Sequence, residues 1–155
     1  MNSTDLQQFI DTRQIKAKIL SLDGHTPTVE DAARELGVAP EQIIKSLVFQ
    51  VRDQPVMVIN NGLARVDRRK LAAHLEVGRK WARFASPEQA LEVTGFVVGS
   101  MPPFGHRVRL RTLVDSAVFD LEVIYGGGGE LNAMMRLTPA ELVRVTGAEI
   151  VSLSE

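Results

Sequence analysis

The sequence has no cysteine and no long apolar run. The lack of cysteine excludes disulfides, thiolate metal sites and cysteine nucleophiles. No apolar stretch approaches the ~18 residues that a membrane-spanning helix needs. The first residues, Met1 to Asp11, are polar and carry acidic groups, so they do not resemble a signal peptide. We therefore expect a cytoplasmic protein without membrane contact.

The sequence also lacks a charge of one dominant sign. It has 18 Lys and Arg against 19 Asp and Glu, so a nucleic-acid partner would have to bind a local basic patch. A patch of this kind is most often a solvated surface, yet three occur in the middle of the chain and favour an anionic partner. They are Arg65, Arg68, Arg69 and Lys70; Arg79, Lys80 and Arg83 around Trp81; and Arg107, Arg109 and Arg111, which would share one face of a strand.

Conventional catalytic motifs are missing as well. His25, His74 and His106 lack the spacing of metal ligands, and no Gly-x-Ser-x-Gly nucleophile motif is present. The glycine run Gly126 to Gly129 lacks the Gly-Lys-Ser/Thr ending of a phosphate-binding loop. We therefore predict neither a metal nor a cofactor.

What is present predicts an α+β fold in one domain of residues 1–155, with helices around a mixed, mostly antiparallel sheet. Capping residues, Gly and Pro place the helix boundaries, and apolar runs between turn residues indicate strands. The predicted helices are Ser3 or Thr4 to about Leu20, Thr28 to Gly37, Asp67 to Leu75, Ser86 to Gly95, and Thr138 to Gly147. The predicted strands are Ser46–Val51, Pro55–Ile59, Phe96–Val98, Val108–Val114, Leu121–Tyr125, Met134–Leu137 and Ile150–Leu153. Residues 1–27 are predicted to form an N-terminal helical extension.

Two features stand out as candidates for chemistry. The segment Gly99 to Gly105 contains two glycines and two prolines, which predicts a rigid loop whose backbone N–H groups could face a ligand. Lys45 interrupts an apolar run at the start of a strand. Its ammonium either reaches the surface or stands at a pocket mouth as a compact positive charge.

These segments resemble the YbaK/prolyl-tRNA-synthetase-associated (ProX-like) editing domains. The resemblance covers roughly Thr28 to Leu153. Four motifs occur in the family's order: Ile43 to Phe49 with its Lys-Ser-Leu, the basic helix start Arg65 to Leu71, the loop from Gly95 to Gly105, and the glycine turn Tyr125 to Gly129 with Leu137-Thr138-Pro139.

The resemblance implies a trans-acting deacylase that hydrolyses the ester of mischarged tRNA, with tRNA-Pro carrying a non-cognate amino acid as the expected substrate. Backbone N–H groups of the loop would hold the oxyanion, Lys45 would position the substrate, and a terminal ribose hydroxyl would help to activate water. The implied partners are the acceptor end of aminoacyl-tRNA and, transiently, prolyl-tRNA synthetase or the elongation machinery.

The candidate site residues form three groups. The catalytic group is Lys45, Gly99, Ser100, Met101 and Gly105. The substrate-binding group is Ser46, Pro103, Phe104, His106, Gly128 and Gly129. The tRNA-binding group is Arg68, Arg69, Lys70, Arg79, Lys80 and Arg83. Two alternatives remain open, a non-catalytic tRNA- or nucleotide-binding module and a related fold that cleaves an unrelated small ester.

Overall fold

Five α-helices surround two β-sheets in the computed structural model, which describes residues 1–24 and 28–155. The helices are α1 (Ser3–Thr12), α2 (Val29–Leu36), α3 (Arg68–His74), α4 (Pro87–Thr94) and α5 (Pro139–Thr146). The strands are β1 (Lys18–Ser21), β2 (Ile44–Val51), β3 (Gln54–Asn61), β4 (Ala82–Phe84), β5 (Arg111–Asp115), β6 (Ile124–Gly127), β7 (Ala133–Leu137) and β8 (Glu149–Val151). The α+β class predicted from the sequence is confirmed.

The helix boundaries follow capping chemistry. Thr28, Ser86 and Thr138 accept a backbone N–H of the first turn through their hydroxyl groups, which satisfies one of the unpaired donors of a helix start. Helices α2, α4 and α5 end at glycines in the left-handed region, where a side chain would be strained.

The first helix is shorter than predicted. Helix α1 is capped by Asn2 and ends at Thr12, whereas the sequence predicted a start at Ser3 or Thr4 and an end near Leu20. Gln14 takes a positive φ of 52°, which stops the helix. Lys18–Ser21 then pairs as strand β1 with β7, so residues 1–27 are not helical throughout. His25 and its two successors lie outside the described residues.

The sheets are of two kinds. The smaller one is antiparallel in the order β1-β7-β6, and the larger one has the order β4-β2-β3-β5-β8. In the larger sheet β4, β2 and β3 are antiparallel neighbours, while β5 pairs in parallel with both β3 and β8. The mixed, mostly antiparallel pattern therefore holds, but it is divided between two sheets.

Three predictions about loops and strands were wrong. Phe96 to Val98 is not a strand, since only Phe96 is buried while Val97 and Val98 are exposed in a turn. Strand β5 begins at Arg111 rather than Val108, so Arg107 and Arg109 precede the strand and do not share its face with Arg111. Gly126 and Gly127 belong to β6, which leaves Gly128 and Gly129 to form the turn.

The larger sheet has an apolar core on each side. Met57 and Ile59 of β3 pack in the cluster that includes α1, α5 and the smaller sheet, while Val56 and Val58 pack in the cluster that includes α3. This alternation follows from the two-residue period of a strand. Full burial of one such side chain contributes about 1.5–3 kcal/mol. Both faces of β3 are therefore buried, and this strand is the centre of the fold.

Candidate active site

A cleft of about 420 Å³ lies beside the first half of β2. Strand β4 pairs with β2 only over Phe49–Val51, so the preceding residues of β2 border the cleft. The cleft is lined by Thr28, Val29, Ala32, Ile43, Ile44, Lys45, Ser46, Leu47, Val48, Phe84, Ala85, Pro87, Ala90, Val98, Gly99, Met101, Gly127 and Met134. We call it the lysine cleft, because Lys45 is the one lysine or arginine among the described residues of this lining.

Lys45 is held by a backbone carbonyl at the edge of the cleft. Its Nζ donates a hydrogen bond of 2.7 Å to the carbonyl of Ala64, and the Asn60 side-chain amide donates to the same oxygen at 3.3 Å. Burial lowers the pKa of Lys45, and the nearby positive charge of Arg65 lowers it further. The ammonium is therefore partly desolvated, which strengthens its interaction with any ligand oxygen.

Two polar side-chain atoms near Lys45 are buried without a hydrogen-bond partner among the described residues. They are Ser46 Oγ, which belongs to the lining of the cleft, and Asn60 Oδ1, whose residue pairs with Lys45 across the β2–β3 hairpin. Such atoms cost free energy unless a ligand or water pairs with them.

The loop after α4 forms the wall opposite β2. Gly99, exposed and with a φ of 96°, and Met101 line the lysine cleft. Ser100 between them is buried; its N–H and hydroxyl both donate to the carbonyl of Val97, at 3.1 and 2.8 Å. Within residues 1–24 and 28–155, the N–H groups of Gly99 and Met101 make no hydrogen bond to another residue. Since both residues line the lysine cleft, their N–H groups are loop donors that remain available to a ligand there.

The glycines after Tyr125 shape the site in different ways. A Cβ on Gly127 would collide with the Met101 carbonyl, so glycine at this position lets β6 lie directly behind the loop. The Gly129 N–H donates to the Ser100 carbonyl at 3.0 Å. Gly128 packs against the backbone of β7. Of the three, only Gly127 lines the lysine cleft. Of the predicted pair, Gly129 supports the loop through Ser100, while Gly128 contacts β7.

The second half of the loop faces a different cleft, of about 260 Å³. Pro103, Phe104 and His106 of the predicted substrate-binding group line it, together with Gly105 of the predicted catalytic group. The other lining residues are Phe9, Arg13, Arg107, Arg109, Leu110, Thr112, Val145 and Thr146, and we call it the arginine cleft. The structure thus divides the predicted site residues between two clefts.

His106 lies in the arginine cleft and is bound to the loop. Its Nε2 donates to the Pro102 carbonyl at 2.7 Å. Burial lowers the pKa of His106, and the Pro102 hydrogen bond opposes this effect. His106 therefore braces the turn of the loop, and it is not in the lining of the lysine cleft.

The predicted tRNA-binding residues lie on α3, β4 and the turn between them. The Arg68 guanidinium donates to the carbonyls of Ala82 and Arg79, and Lys70 donates to the Ser154 carbonyl at 2.8 Å. Lys80 lies 5.4 Å from the Trp81 ring centre. Arg69, Arg79, Lys80 and Arg83 are exposed, and Arg83 directly precedes a residue of the lysine cleft.

That residue, Phe84, was missed by sequence reasoning. It is 59% exposed although it lines the lysine cleft, and its ring lies 4.4 Å from the ring of the buried Phe49. The apolar–polar alternation of Ala82, Arg83 and Phe84 predicts a short strand, and this pattern was the signal from which the position of Phe84 could have been predicted. Asn60 and Gly127 were missed as well, because their place at the site depends on strand pairing.

Two further findings concern the described part of the chain. Among residues 1–24 and 28–155, no three His, Asp or Glu side chains come together as metal ligands. In the same ranges, no helix is both long and apolar enough to cross a membrane.

Known proteins resemble this chain in sequence and in fold. The model of the aminoacyl-tRNA editing domain matches residues 23–145. The multifunctional Ser/Thr-tRNA deacylase ProXp-y of Escherichia coli (strain K12) is 31% identical over 121 residues, which are 75% of this chain and 71% of that protein. A proline–tRNA ligase of Thermotoga sp. (strain RQ2) is 36% identical over 103 residues, 66% of this chain but only 17% of the ligase.

A solved structure extends the likeness to almost the whole fold. A crystal structure presented as a candidate trans-editing enzyme for prolyl-tRNA synthetase has a TM-score of 0.92 and 32% identity, and the match covers 99% of this chain and 96% of that one. The fold is therefore that of an editing domain. This chain belongs to the aminoacyl-tRNA editing domain family, as the sequence resemblance predicted.

Proposed function

We propose that this chain is a trans-acting deacylase that hydrolyses the ester of mischarged aminoacyl-tRNA, with tRNA-Pro carrying a non-cognate amino acid as its substrate. The observation that carries the proposal is the lysine cleft. It brings a partly desolvated lysine together with two unpaired loop N–H groups in a member of the editing family. The relatives named for tRNA deacylation and prolyl-tRNA ligation favour this substrate class.

In the proposed reaction, water attacks the carbonyl carbon of the ester. The bond between that carbon and the ribose oxygen breaks, the ribose oxygen takes up a proton, and the free amino acid leaves. The negative charge on the carbonyl oxygen would be held by the N–H groups of Gly99 and Met101. Such preorganised donors contribute about 3–4 kcal/mol each in other hydrolases.

Lys45 has a positioning role in this proposal. Its remaining N–H bonds would hold an oxygen of the substrate while Ala64 fixes its direction. As the family resemblance implies, a ribose hydroxyl of the tRNA would help to activate the water. Cysteine is absent from the sequence and the Ser100 hydroxyl donates to Val97, so water is the attacking nucleophile in this proposal. Ser100 and Gly105 then act by shaping the loop.

The acceptor end of tRNA would approach along β4. Phe84 offers an exposed ring at the cleft for stacking on a base, and Arg83, Lys80 and Arg79 provide positive charge beside it. Single-stranded nucleic acids bind to this combination of aromatic rings and basic groups. Prolyl-tRNA synthetase and the elongation machinery, which handle charged tRNA in the cytoplasm, would be transient partners.

A panel of mischarged tRNAs, with the amino acid and the tRNA varied independently, tests the proposal. We expect release of the free amino acid from a subset of the panel, with tRNA-Pro among the preferred carriers. Binding without release would instead identify a non-catalytic tRNA-binding module. Equal cleavage of small amino-acid esters would show that the tRNA body is not part of the recognised substrate.

The basic surface has its own test. Replacing Arg79, Lys80 and Arg83 by Gln should weaken tRNA binding and flatten its salt dependence, because each lost phosphate contact removes roughly 0.7–0.9 from the log–log slope. Fluorescence anisotropy at several salt concentrations measures this slope. Replacement of Lys16, Lys18 and Arg136 by Gln, three exposed cations on or next to the smaller sheet, is the matched control. An unchanged slope in the triple variant would show that these charges are only solvated.

A further inference from the structure

The arginine cleft holds a concentration of positive charge that the proposed deacylation does not use. Arg13, Arg107 and Arg109 all line it, and among the described residues no Asp or Glu belongs to its lining. The chain as a whole has a net charge of −1. The cleft is therefore a local exception to the charge balance of the molecule.

These three arginines differ from other arginines nearby. Arg111 is paired with Glu149 through hydrogen bonds of 2.7 and 2.8 Å, and Arg144 is paired in the same way with Glu141. Arg13, Arg107 and Arg109 have no carboxylate within 4.0 Å among the described residues. Their charges are uncompensated by the protein.

The three guanidinium groups are nevertheless held in place by uncharged groups. Arg13 lies 3.9 Å over the Phe9 ring, Arg107 donates to the Glu92 carbonyl at 3.2 Å, and Arg109 donates to the Thr146 carbonyl at 3.3 Å. Each contact uses only part of a guanidinium, which carries five N–H donors. The remaining donors are available to a ligand without loss of these contacts.

We propose that the arginine cleft is a binding site for a phosphate group. Phosphate carries up to two negative charges and several oxygens, and arginine recognises it through paired, nearly parallel hydrogen bonds. Three uncompensated guanidinium groups repel one another until an anion neutralises them. The volume of 260 Å³ lies just below the ~300–1,000 Å³ of common small-molecule pockets, which suits a small phosphorylated group.

The position of the site connects it to the loop. Pro103, Phe104 and Gly105 form one wall of the arginine cleft, while Gly99 and Met101 of the same loop line the lysine cleft. A phosphate held by the arginines would therefore lie against the rear of the segment that borders the other cleft. The phosphate has two sources with the same chemistry, a free phosphorylated small molecule and a phosphodiester of bound RNA.

An NMR titration of the full chain with sodium pyrophosphate tests the free-ligand source. We expect saturable shifts confined to the amides of Phe104 and Gly105 and to the His106 imidazole, which reports the location of binding. Arg107→Gln and Arg109→Gln should each weaken binding roughly tenfold, because each removes charge-assisted hydrogen bonds. Arg34→Gln, which removes one exposed charge paired with Asp31 on α2, is the matched control and should change nothing.

A second measurement addresses the RNA source. Binding of deacylated tRNA is compared between Arg107→Gln, Arg109→Gln and Arg34→Gln, with circular dichroism as the folding check. A loss of affinity in the first two variants alone, without pyrophosphate binding, supports the site and assigns it to RNA phosphate. Saturable pyrophosphate binding with unchanged tRNA affinity supports the site and assigns it to a free ligand.

The proposal is overturned if pyrophosphate produces only the shifts that sodium chloride produces at equal ionic strength and if the arginine variants bind tRNA as Arg34→Gln does. This result would not bear on deacylation. Conversely, a chain that cleaves no aminoacyl-tRNA would leave the pyrophosphate titration fully interpretable.

Discussion

The two clefts share one loop but differ in chemistry. The lysine cleft, of about 420 Å³, has mostly apolar walls and one cation whose pKa is lowered. The arginine cleft, of about 260 Å³, is bordered by three arginines that form no ion pair with a carboxylate in the described part of the chain. A single cation among apolar walls suits an ester oxygen that becomes negative only during reaction, whereas three cations suit a ligand that is already an anion. Neighbouring residues in one loop can therefore serve separate functions.

The largest expected effect is that of removing Lys45, which should impair deacylation in the lysine cleft and leave ligand binding in the arginine cleft unchanged. Lys45→Ala is expected to lower kcat/KM for mischarged tRNA about 100-fold, equivalent to about 2.7 kcal/mol, while the thermal midpoint shifts by only a few degrees. The Ala64 carbonyl keeps its bond from Asn60, which limits the loss of stability. Deacylation assays and thermal denaturation measure the two quantities.

Lys18→Ala is the control, because Lys18 is an exposed lysine outside both clefts. Pyrophosphate binding at the arginine cleft should be unchanged by Lys45→Ala. Full activity of a folded Lys45→Ala protein would remove this residue from the proposed mechanism.

The next largest effect concerns the loop, where a change of backbone geometry at Gly99 should reduce activity far more than the loss of the Ser100 hydroxyl. Gly99→Val is expected to lower kcat about 30-fold or more. Gly99 has a φ of 96°, so a β-branched side chain there is strained, and it would also block the approach of the ester. Ser100→Ala keeps its N–H and should retain most of the activity, with a stability loss of about 1 kcal/mol for the hydroxyl bond to Val97. If Ser100→Ala were inactive and a folded Gly99→Val still turned over, Ser100 would take part chemically and the water-attack mechanism would be wrong.

A change in the shared scaffold should leave the difference between the clefts intact. Glu141 on α5 accepts from Arg144 and from the Lys16 N–H, and these bonds, Arg144 first, lower the pKa of Glu141 from 4.5 to about 2. Its stabilising contribution is therefore complete above pH 4.5 and is lost as the pH falls toward 2.

The variant Glu141→Gln should lower the free energy of unfolding at pH 7 by about 1.5 kcal/mol, at the low end for a charged hydrogen bond because Arg144 is exposed. Urea denaturation at several pH values checks this. The difference in free energy of unfolding between variant and parent should become smaller in acid, and a difference that increased there would contradict the assigned pairing. At pH 7, neither deacylation in the lysine cleft nor pyrophosphate binding in the arginine cleft should change relative to the other.

The smallest expected effect concerns the aromatic ring at the mouth of the lysine cleft. Phe84→Ala should raise KM for charged tRNA about tenfold with little change in kcat, because base stacking contributes ~1–3 kcal/mol and Phe84 does not lie on the reacting loop. Ile150→Ala, at an equally exposed apolar residue of β8, is the control. A fall in kcat at constant KM would place Phe84 in the chemistry rather than in binding.

The sequence predicted most of the fold, because caps, glycines and alternation act locally. The hairpin β2–β3 and the helices beginning at Thr28, Asp67, Ser86 and Thr138 are confirmed within a few residues. Phe96 to Val98 was mistaken for a strand because an apolar run does not reveal that two of its three residues remain exposed. The end of α1 was missed because the pairing of Lys18–Ser21 with β7 depends on residues more than a hundred positions away.

The site was predictable only in part, for the same reason. Lys45 and the loop could be named from their motifs, and the structure brings Lys45, Gly99 and Met101 to one cleft. Pro103 to His106 line the other cleft because the chain bends at Pro103 and Phe104, and a Gly- and Pro-rich sequence does not specify which side of a loop each residue faces. Phe84 could not be placed, since its exposure depends on how far β4 pairs along β2.

The pairing of β1 with β7 and of β3 with β5 has a consequence for how the protein folds during its synthesis on the ribosome. The β2–β3 hairpin joins neighbouring residues, so the strand that carries Lys45 can form early. The pairing of Val56 with Arg111 and of Lys18 with Arg136 closes long loops, which slows folding. The loop that forms the opposite wall of the lysine cleft packs on Gly127 and Gly129, so this wall can form only after these residues, in the last quarter of the chain, have been synthesised. A nascent chain that ends before Gly127 would contain Lys45, the Ala64 carbonyl that accepts from it and Asn60, which shares that acceptor, yet it would have no cleft in which to bind a substrate.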